Sequence, residues 1–404
     1  MPACPRLFEP LAIGPLTLKN RIVMAPMTTL LDVEGPGRYE AFLAERAEGG
    51  AAMIVVSLQA LWPGRGGRTG TARIDAPPGT GPLAINDDAW IGRLRPIVDA
   101  IHGGGAKACA QLGVNGPWAP DGPGTRADAI SPSDTLLDPR ICRPDARAVS
   151  FVTGGRPASI DDLRRIPHEI SRAARRALEA GFDAIQLQAH CGSLISQFLS
   201  PLTNRRADAY GGPIARRARL LLECLAAIRA EVGGGVAVLC RINGDDLMPG
   251  GMGTADYRLL VPMLEEAGVH AIDVKPGWYE SPQPLQDASV PPGAFAYVSA
   301  ALRQVARVPI SANTRITDSE LAESIIARGD ADYVSLGGAL IADPDWPKKA
   351  QAGQSGDIRL CTACMECWND LAIRRIPIGC PVNPRVGRES EPPCLVPGTA
   401  LDAD

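Results

Sequence analysis

Along this chain a short apolar run is followed by a longer amphipathic one, repeatedly, and that alternation restricts the fold more than any other feature of the sequence. The apolar runs fall at 22–26, 51–57, 107–112, 184–188, 236–242, 271–276, 308–312 and 332–337, eight in all. Runs nearly continuous in Ala, Val, Ile and Leu suit parallel strands covered on both faces. Between them lie helical patterns at about 38–49, 88–102, 160–180, 214–231, 255–267, 296–306 and 318–328. Several of these end on a glycine just before the next strand, as in Glu48-Gly49-Gly50, Ala180-Gly181-Phe182 and Ala267-Gly268-Val269. Glycine there supplies the left-handed cap that turns the chain back. Eight strand–helix repeats fit an α/β fold of the (β/α)8 type, the TIM barrel. A doubly wound open sheet would need a glycine-rich phosphate loop after its first strand, and Ala25-Pro26-Met27-Thr28-Thr29 is not one.

In such a barrel the segments that follow strands build the site at the C-terminal face. Two of them, 58–87 and 113–158, are long, rich in Gly, Pro, Asp and Arg, and match no motif, so they leave the substrate unnamed. We expect residues 1–350 to form the barrel, 351–390 a C-terminal cysteine-rich, cluster-binding extension, and 391–404 a disordered tail. Composition narrows function by exclusion. Of the 404 residues 45% are hydrophobic and 21% charged, which supports a large core and rules out wholesale disorder. The net charge of −4 excludes a general nucleic-acid binder, whose affinity rests on a basic surface. No apolar run approaches a membrane-spanning length. The N-terminal Met-Pro-Ala-Cys-Pro-Arg lacks the charged-then-apolar layout of a signal peptide, so a cytoplasmic location is expected.

Four of the eleven cysteines are grouped as Cys361-Thr-Ala-Cys364-Met-Glu-Cys367, then twelve residues, then Cys380-Pro381. Three thiolates in one tight turn and a fourth from a following segment are how 4Fe–4S clusters are commonly held. A four-cysteine zinc site is the alternative, but zinc motifs more often come as two separated C-x2-C pairs, so the spacing favours iron. Cys109, Cys224 and Cys240 lie in apolar runs and read as core thiols.

Several stretches then read together: Leu18-Lys19-Asn20-Arg21-Ile22-Val23-Met24-Ala25-Pro26-Met27; Gln197-Phe198-Leu199-Ser200-Pro201-Leu202-Thr203-Asn204-Arg205-Arg206 with Asp208-Ala209-Tyr210-Gly211-Gly212; Gly277-Trp278-Tyr279-Glu280; and Leu340-Ile341-Ala342-Asp343-Pro344. The chain resembles the Old Yellow Enzyme superfamily over roughly residues 6–385. With the cysteine motif it is most similar to the 2,4-dienoyl-CoA reductase and trimethylamine dehydrogenase branch. The resemblance implies an FMN at the barrel mouth with a 4Fe–4S cluster nearby, the cluster bound by Cys361, Cys364, Cys367 and Cys380. It implies that Ala25, Pro26 and Met27 lie against the flavin and that Thr28 meets its carbonyl edge. Trimethylamine dehydrogenase has a flavin-bonded cysteine at that last position. Threonine forms no such thioether, so the FMN is expected to be non-covalent. Gln111 matches the pyrimidine-edge glutamine, and Ser57 closes the second strand near the ring. Arg241 matches the arginine at N1 and O2, where a guanidinium stabilises the charge of reduced flavin. Arg315 matches a phosphate-binding position. Taken singly, Arg241 could equally be a buried ion-pair partner and Gln111 a satisfied core amide.

The departures from the family pattern bear on the chemistry. Where the family commonly has H-G-A-H-G-Y-L, this chain has Gln188-Ala189-His190-Cys191-Gly192-Ser193-Leu194. Gln188 thus replaces the first His, Cys191 the second His or Asn, and Ser193 the Tyr that resembles a proton donor. His190 is shifted by one position, and strand alternation should turn it to the other face. Cys191 has no basic neighbour in sequence that would lower its pKa. Tyr279 stands where the dienoyl-CoA reductases have a catalytic histidine, and a phenol there can donate a proton or hold a substrate oxygen. Gly338 falls where an arginine usually meets the FMN phosphate, leaving the backbone N–H groups of Gly337 and Gly338 to cradle it. Relatives of this branch usually continue into FAD/NAD(P)-type domains, and no G-x-G-x-x-G fingerprint follows a strand in these 404 residues. Because Fe–S centres pass single electrons, we expect exchange with a separate ferredoxin, flavoprotein or reductase. The expected function is a flavin- and cluster-dependent oxidoreductase, either reducing a C=C bond or oxidising a C–H or C–N bond of a small substrate. A non-catalytic barrel subunit partnering an active paralogue, and a zinc-stabilised lyase, are the alternatives. An oligomer is compatible with each.

Overall fold

A computed structural model describes residues 4–33, 35, 37–61, 68–69, 72–73, 83–114, 130–134, 137–143 and 155–392. Its centre is a parallel eight-stranded sheet whose strands lie side by side in sequence order. They are β1 (Ile22–Met24), β2 (Met53–Leu61), β3 (Lys107–Val114), β4 (Ala184–Ala189), β5 (Ala237–Ile242), β6 (Ala271–Val274), β7 (Ser311–Asn313) and β8 (Tyr333–Leu336). β8 pairs with β1. The ring closes between β6 and β7 through an isolated bridge, Ile272 to Ile310, with the Ile272 N–H donating to Pro309 O at 2.9 Å. This is the (β/α)8 barrel that the alternation predicts. The β6–β7 seam is thin because Pro309 has no N–H to offer a ladder. For the same reason the expected strand at 308–312 begins only at Ser311.

The helices α1 (Arg38–Glu48), α2 (Ala89–Gly103), α3 (Ile160–Glu179), α4 (Arg219–Val232), α5 (Thr254–Glu266), α6 (Ala296–Arg303) and α7 (Ser319–Ala327) coat the barrel. The pattern expected at 214–231 is broken at Ala218, giving a short Ile214–Arg217 helix and then α4. β2 runs beyond the expected 51–57 because Gln59 bonds to a new neighbour: its N–H donates to Leu83 O at 3.0 Å and its carbonyl accepts from Ile85 N at 2.9 Å. Much of the long segments 58–87 and 113–158, and the tail from 393, lies outside the described residues. No helix among the described residues is long and apolar enough to cross a membrane.

The two ends of the barrel interior differ. At the N-terminal end Val23, Val55, Cys109, Ala184, Leu239, Ala271 and Tyr333 pack against Leu11, Ile13 and Leu18 of an antiparallel hairpin (Leu11–Ile13 with Leu16–Leu18) that plugs the opening. The hairpin turn, Gly14 at φ +55°, lies so close to the His270 ring that a Cβ there would sit 2.5 Å from it. One layer higher the interior turns polar around Asp273. Its carboxylate accepts from Ser311 Oγ at 2.6 Å, Ser335 Oγ at 3.3 Å and Gln186 Nε2 at 3.4 Å, and it lies 3.2 Å from the Arg241 guanidinium. Gln186 in turn accepts from Gln111 Nε2 at 2.7 Å.

The chain beyond Gln351 packs back on the C-terminal face. The Ile378 N–H donates to Thr29 O at 3.0 Å and Asn383 Nδ2 to Ile341 O at 2.9 Å. Arg46 of α1 is fully buried and joins three parts of the chain. It donates to Phe42 O at 2.6 Å and Leu340 O at 3.0 Å, and pairs with Glu389 at 3.0 Å.

Two outcomes follow. Asp273→Ala would strand the Arg241 charge in the barrel, and denaturant titration should show a loss of about 3–5 kcal/mol; a loss below about 1 kcal/mol would contradict this assignment. Asp32, in the turn after β1, is buried, and burial pushes its carboxyl up to about 6 against the pull of Arg93. A folded-state pKa above the unfolded value means the native state binds the proton more tightly. Asp32 should therefore favour folding below about pH 4 and lose that contribution as pH rises to about 6, and Asp32→Asn should remove this slope and stabilise the protein at pH 7 by roughly 2–3 kcal/mol.

Candidate active site

The inner positions at the C-terminal ends of the strands form the mouth. Gln111 and Arg241 are buried there, whereas Pro26, Met27, Ser57, Gln188, Arg315, Gly337 and Gly338 are half-buried and Thr28 is exposed. The Ala25 N–H donates to Leu336 O at 2.8 Å, carrying the β1–β8 pairing into the Ala25–Thr28 segment. Several buried polar atoms at the mouth have no hydrogen-bond partner among the described residues: Arg241 Nε, Gln59 Oε1, Asn313 Nδ2, His190 Nδ1 and Ser193 Oγ. Arg241 is thus the buried ion-pair partner its sequence position allowed: Nη1 lies 3.2 Å from Asp273 Oδ2, while Nε has no hydrogen-bond partner among the described residues. Buried polar groups are rarely left unpaired, so a set of them converging on one opening marks a place for a ligand.

The segment after β4 is held from below. Cys191 adopts φ 55° and its N–H donates to Asn243 Oδ1 at 2.8 Å. Asn243 donates to Asp246 at 2.8 Å, and Asp246 also accepts from Tyr257 OH at 2.7 Å and Ser200 Oγ at 3.0 Å. Gln197 donates to Gly192 O at 2.7 Å, and Asn204 holds Phe198 O and Tyr210 O. The long motif at 197–212 therefore builds the support beneath residues 190–193. Ser193 caps the Leu194–Leu199 helix as a backbone acceptor while its hydroxyl stays unpaired.

One expectation needs correction. His190 has the same parity as Gln186 and Gln188, which turn into the barrel, so alternation carries it to the inner face and not to the other one. It is buried within electrostatic reach of Arg241 and Lys275, and burial, reinforced by those two cations, holds its imidazole well below the usual histidine range. Cys191 has no basic neighbour in sequence, but Lys275 and Arg241 come to it from elsewhere in the chain; burial still pushes its thiol up against their pull. The thiol donates to Gly277 O at 3.6 Å. Gly113 explains the placing of Gln188, because a Cβ there would meet Gln188 Oε1 at 2.4 Å.

Tyr279 stacks on Trp368, with ring centroids 4.9 Å apart and planes at 24°, so the mouth and the cysteine motif share a wall. Burial and the neighbouring Cys191 push the phenol pKa up, which keeps it protonated. Arg315 follows Thr314, and both adopt left-handed backbone, φ 59° and 75°, a strain tolerated where the surroundings over-determine it. Arg315 Nε donates to Val290 O at 2.8 Å. A Cβ on Gly338 would lie 2.9 Å from Cys361 Sγ, which accounts physically for the absence of a side chain there. Burial raises the thiol pKa of Cys361 and of Cys367, and in each case the other cysteines of the motif add to the shift. Among the described residues no group of three or more His, Cys, Asp or Glu side chains is gathered as ligands for a metal ion.

Lys275, Gln59, Asn243 and Asp273 were not singled out from the sequence. Lys275 had a signal: it is one of only five lysines and sits within an apolar strand run.

Comparison with known proteins places this geometry. Over 402 residues the chain is 37% identical to a metal reductase of Desulforamulus reducens, covering 98% of this chain and 56% of that protein. Over 394 residues it is 34% identical to an NADH oxidase of Thermoanaerobacter brockii, covering 95% and 57%. The chain thus spans little more than half the length of these relatives. Among solved structures it is similar to a 2-naphthoyl-CoA reductase complex (TM-score 0.84, 27% identity, 96% of this chain and 58% of that one). It is also similar to histamine dehydrogenase from Rhizobium sp. 4-9 (TM-score 0.79, 26% identity, 96% and 53%). Residues 6–356 match the model of one family, and the chain belongs to it: the NADH:flavin oxidoreductase / NADH oxidase family.

Proposed function

We propose that the chain is an FMN- and 4Fe–4S-dependent oxidoreductase acting on a small organic substrate, its electrons exchanged through the cluster with a separate ferredoxin, flavoprotein or reductase. The observation that carries this reading is the set of buried polar atoms around the mouth that lack a partner among the described residues, led by Arg241 Nε. A flavin ring offers acceptors to such donors and donors to Gln59 Oε1, so these residues fit the group. Gln111, Ser57 and the Ala25–Thr28 segment would border it, non-covalently, with Arg315, Gly337 and Gly338 at its phosphate. When bound, FMN supplies hydride exchange with a substrate carbon and the cluster supplies single-electron transfer.

The chain's own part is positioning and proton handling. Arg241, its charge already balanced by Asp273, offers fixed N–H groups to negative charge without rearranging. Tyr279 keeps its proton across the physiological range and is the donor best placed to deliver it, with Ser193 and Cys191 beside the same opening. The Tyr279–Trp368 stack excludes water on one side. For the cluster, the support is the donor set itself, four cysteines in C-x2-C-x2-C-x12-C order that act on one another electrostatically.

Anaerobically purified protein should show flavin bands with a broad visible shoulder and release its flavin on mild denaturation. Flavin left on the precipitated chain would contradict the non-covalent assignment. A colourless protein with stoichiometric zinc would remove both redox assignments, and iron without FMN would favour a non-catalytic subunit. Tyr279→Phe should lower turnover by about 10²–10⁴ with FMN content unchanged; unaltered turnover would show that the phenol donates no proton. In Gly338→Ala the new methyl group displaces Cys361 Sγ, so iron per chain should fall while the circular dichroism of the barrel is retained.

A further inference from the structure

Alternation along β6 turns Ala271 and Asp273 into the barrel and Ile272 and Val274 outward against the helices. The next residue, Lys275, is thereby sent inward one layer above Asp273, and its N–H still donates to Ile242 O at 2.9 Å. There the buried ammonium is hydrogen-bonded to the side chain of Cys191. Its nitrogen also lies 5.2 Å from the centre of the Tyr279 ring. Cys191 is in turn hydrogen-bonded to the side chain of Tyr279. The S–H itself is directed at Gly277 O, 3.6 Å away, so the sulfur serves the lysine and the phenol as acceptor. Three groups with exchangeable protons are thus joined in one chain, Lys275 to Cys191 to Tyr279. Two further charges reach the thiol: Arg241 acts with Lys275 to favour its ionised form, and the buried Glu280 acts against it. The backbone that carries the sulfur is fixed as well, in the left-handed region at φ 55°, with the Cys191 N–H held by Asn243 Oδ1 at 2.8 Å.

A phenol that gives up its proton inside a protein must be reprotonated before it can act again. A thiol is ordinarily the stronger acid of the two, with a pKa of about 8.5 against about 10 for tyrosine. The Lys275 ammonium meets the sulfur directly, so negative charge is favoured there. We propose that Cys191 is the proton reserve of Tyr279, and that Lys275 is the positioning residue that holds the thiol and pairs with the charge left on it. This rests on the proposed function for taking Tyr279 as the proton donor. As the Tyr279 O–H bond breaks and its proton goes to a substrate atom, the Cys191 S–H turns from Gly277 O to the phenolate. The S–H bond breaks, the phenol O–H bond is remade, and the negative charge ends on sulfur, paired with Lys275. One proton from solvent then restores the thiol, and no oxidant or reductant takes part.

The test follows the Cys191 S–H stretching band by infrared spectroscopy after transfer of the full chain into heavy water, flavin content being measured on the same samples. The band is assigned by its absence from Cys191→Ser, or from Cys191→Ala should the serine variant fold poorly. The bands of the core thiols Cys109, Cys224 and Cys240 in the same spectra serve as the reference for an intact barrel. Exchange of S–H to S–D at Cys191 should depend on both partners. Tyr279→Phe should slow it about tenfold or more, because the hydroxyl is the way out for the proton. Lys275→Met should slow it by a similar factor, the effect of taking one opposite charge from an ionising neighbour, and Lys275→Arg should restore most of the rate. An exchange rate that is unchanged or faster in Tyr279→Phe, a rate unchanged in Lys275→Met, or a wild-type Cys191 that exchanges no faster than the core thiols would each overturn the assignment. Exchange that depends on Tyr279 and Lys275 in protein that carries no flavin would sink the proposed function and leave the proton reserve standing. Flavin with exchange indifferent to both residues would do the reverse.

Discussion

The structure depends on a carboxylate buried inside the barrel. Asp273 sits where a TIM barrel is normally filled with branched apolar side chains, and it survives there because four side chains from four other strands reach it. Each of those strands is locked to its neighbours by register, so the network also fixes the barrel's cross-section at that level. Below it the interior is apolar and plugged by the N-terminal hairpin. Above it the interior is polar and open. The same charge that makes Arg241 tolerable inside the protein also leaves part of its guanidinium free to face upward.

The mouth is assembled from residues held in costly states. Left-handed backbone at Leu30, Cys191, Leu247, Thr314 and Arg315 follows β1, β4, β5 and β7, all on the C-terminal side. Unpaired polar atoms gather on that side too. Strain and unpaired polar atoms concentrated at one face are the physical form of a division between function and stability. The buried supports around Asp246 make that division possible, because they fix Cys191 through its backbone and not through its side chain.

Much of the fold was legible in the sequence because parallel strands buried on both faces leave near-continuous apolar runs. The misses have local causes. Pro309 shortened β7, and Gln59 found a partner outside the sheet, which no periodicity encodes. At the site, the Ala25–Thr28 segment, Gln188 and Arg241 lie at strand ends, whereas Ser57 lies inside β2, which runs on to Leu61 and is not closed by it, and Gln111 lies inside β3; their neighbours were not predictable. Cys191 acquires Lys275 and Arg241 from segments far away in sequence, and His190 follows the inward parity of Gln186 and Gln188. Gly338 read as a lost phosphate contact, and three dimensions add a steric reason, the sulfur of Cys361.

That contact between Gly338 and Cys361 has a consequence for how such a chain can change. The cysteine segment does not hang from the barrel as an interchangeable module. It shares atoms with the turn after β8, borrows Trp368 to complete the mouth, and is fastened from beneath through Arg46 and Glu389. Grafting it onto another barrel would require a matching gap after β8 and a matching buried arginine on α1. Removing it would take away the shorter of the two ion pairs of Arg46, that with Glu389, and leave only Glu45 at 3.6 Å. Barrel and extension are therefore coupled, and a substitution at these contacts in one limits what the other can accept.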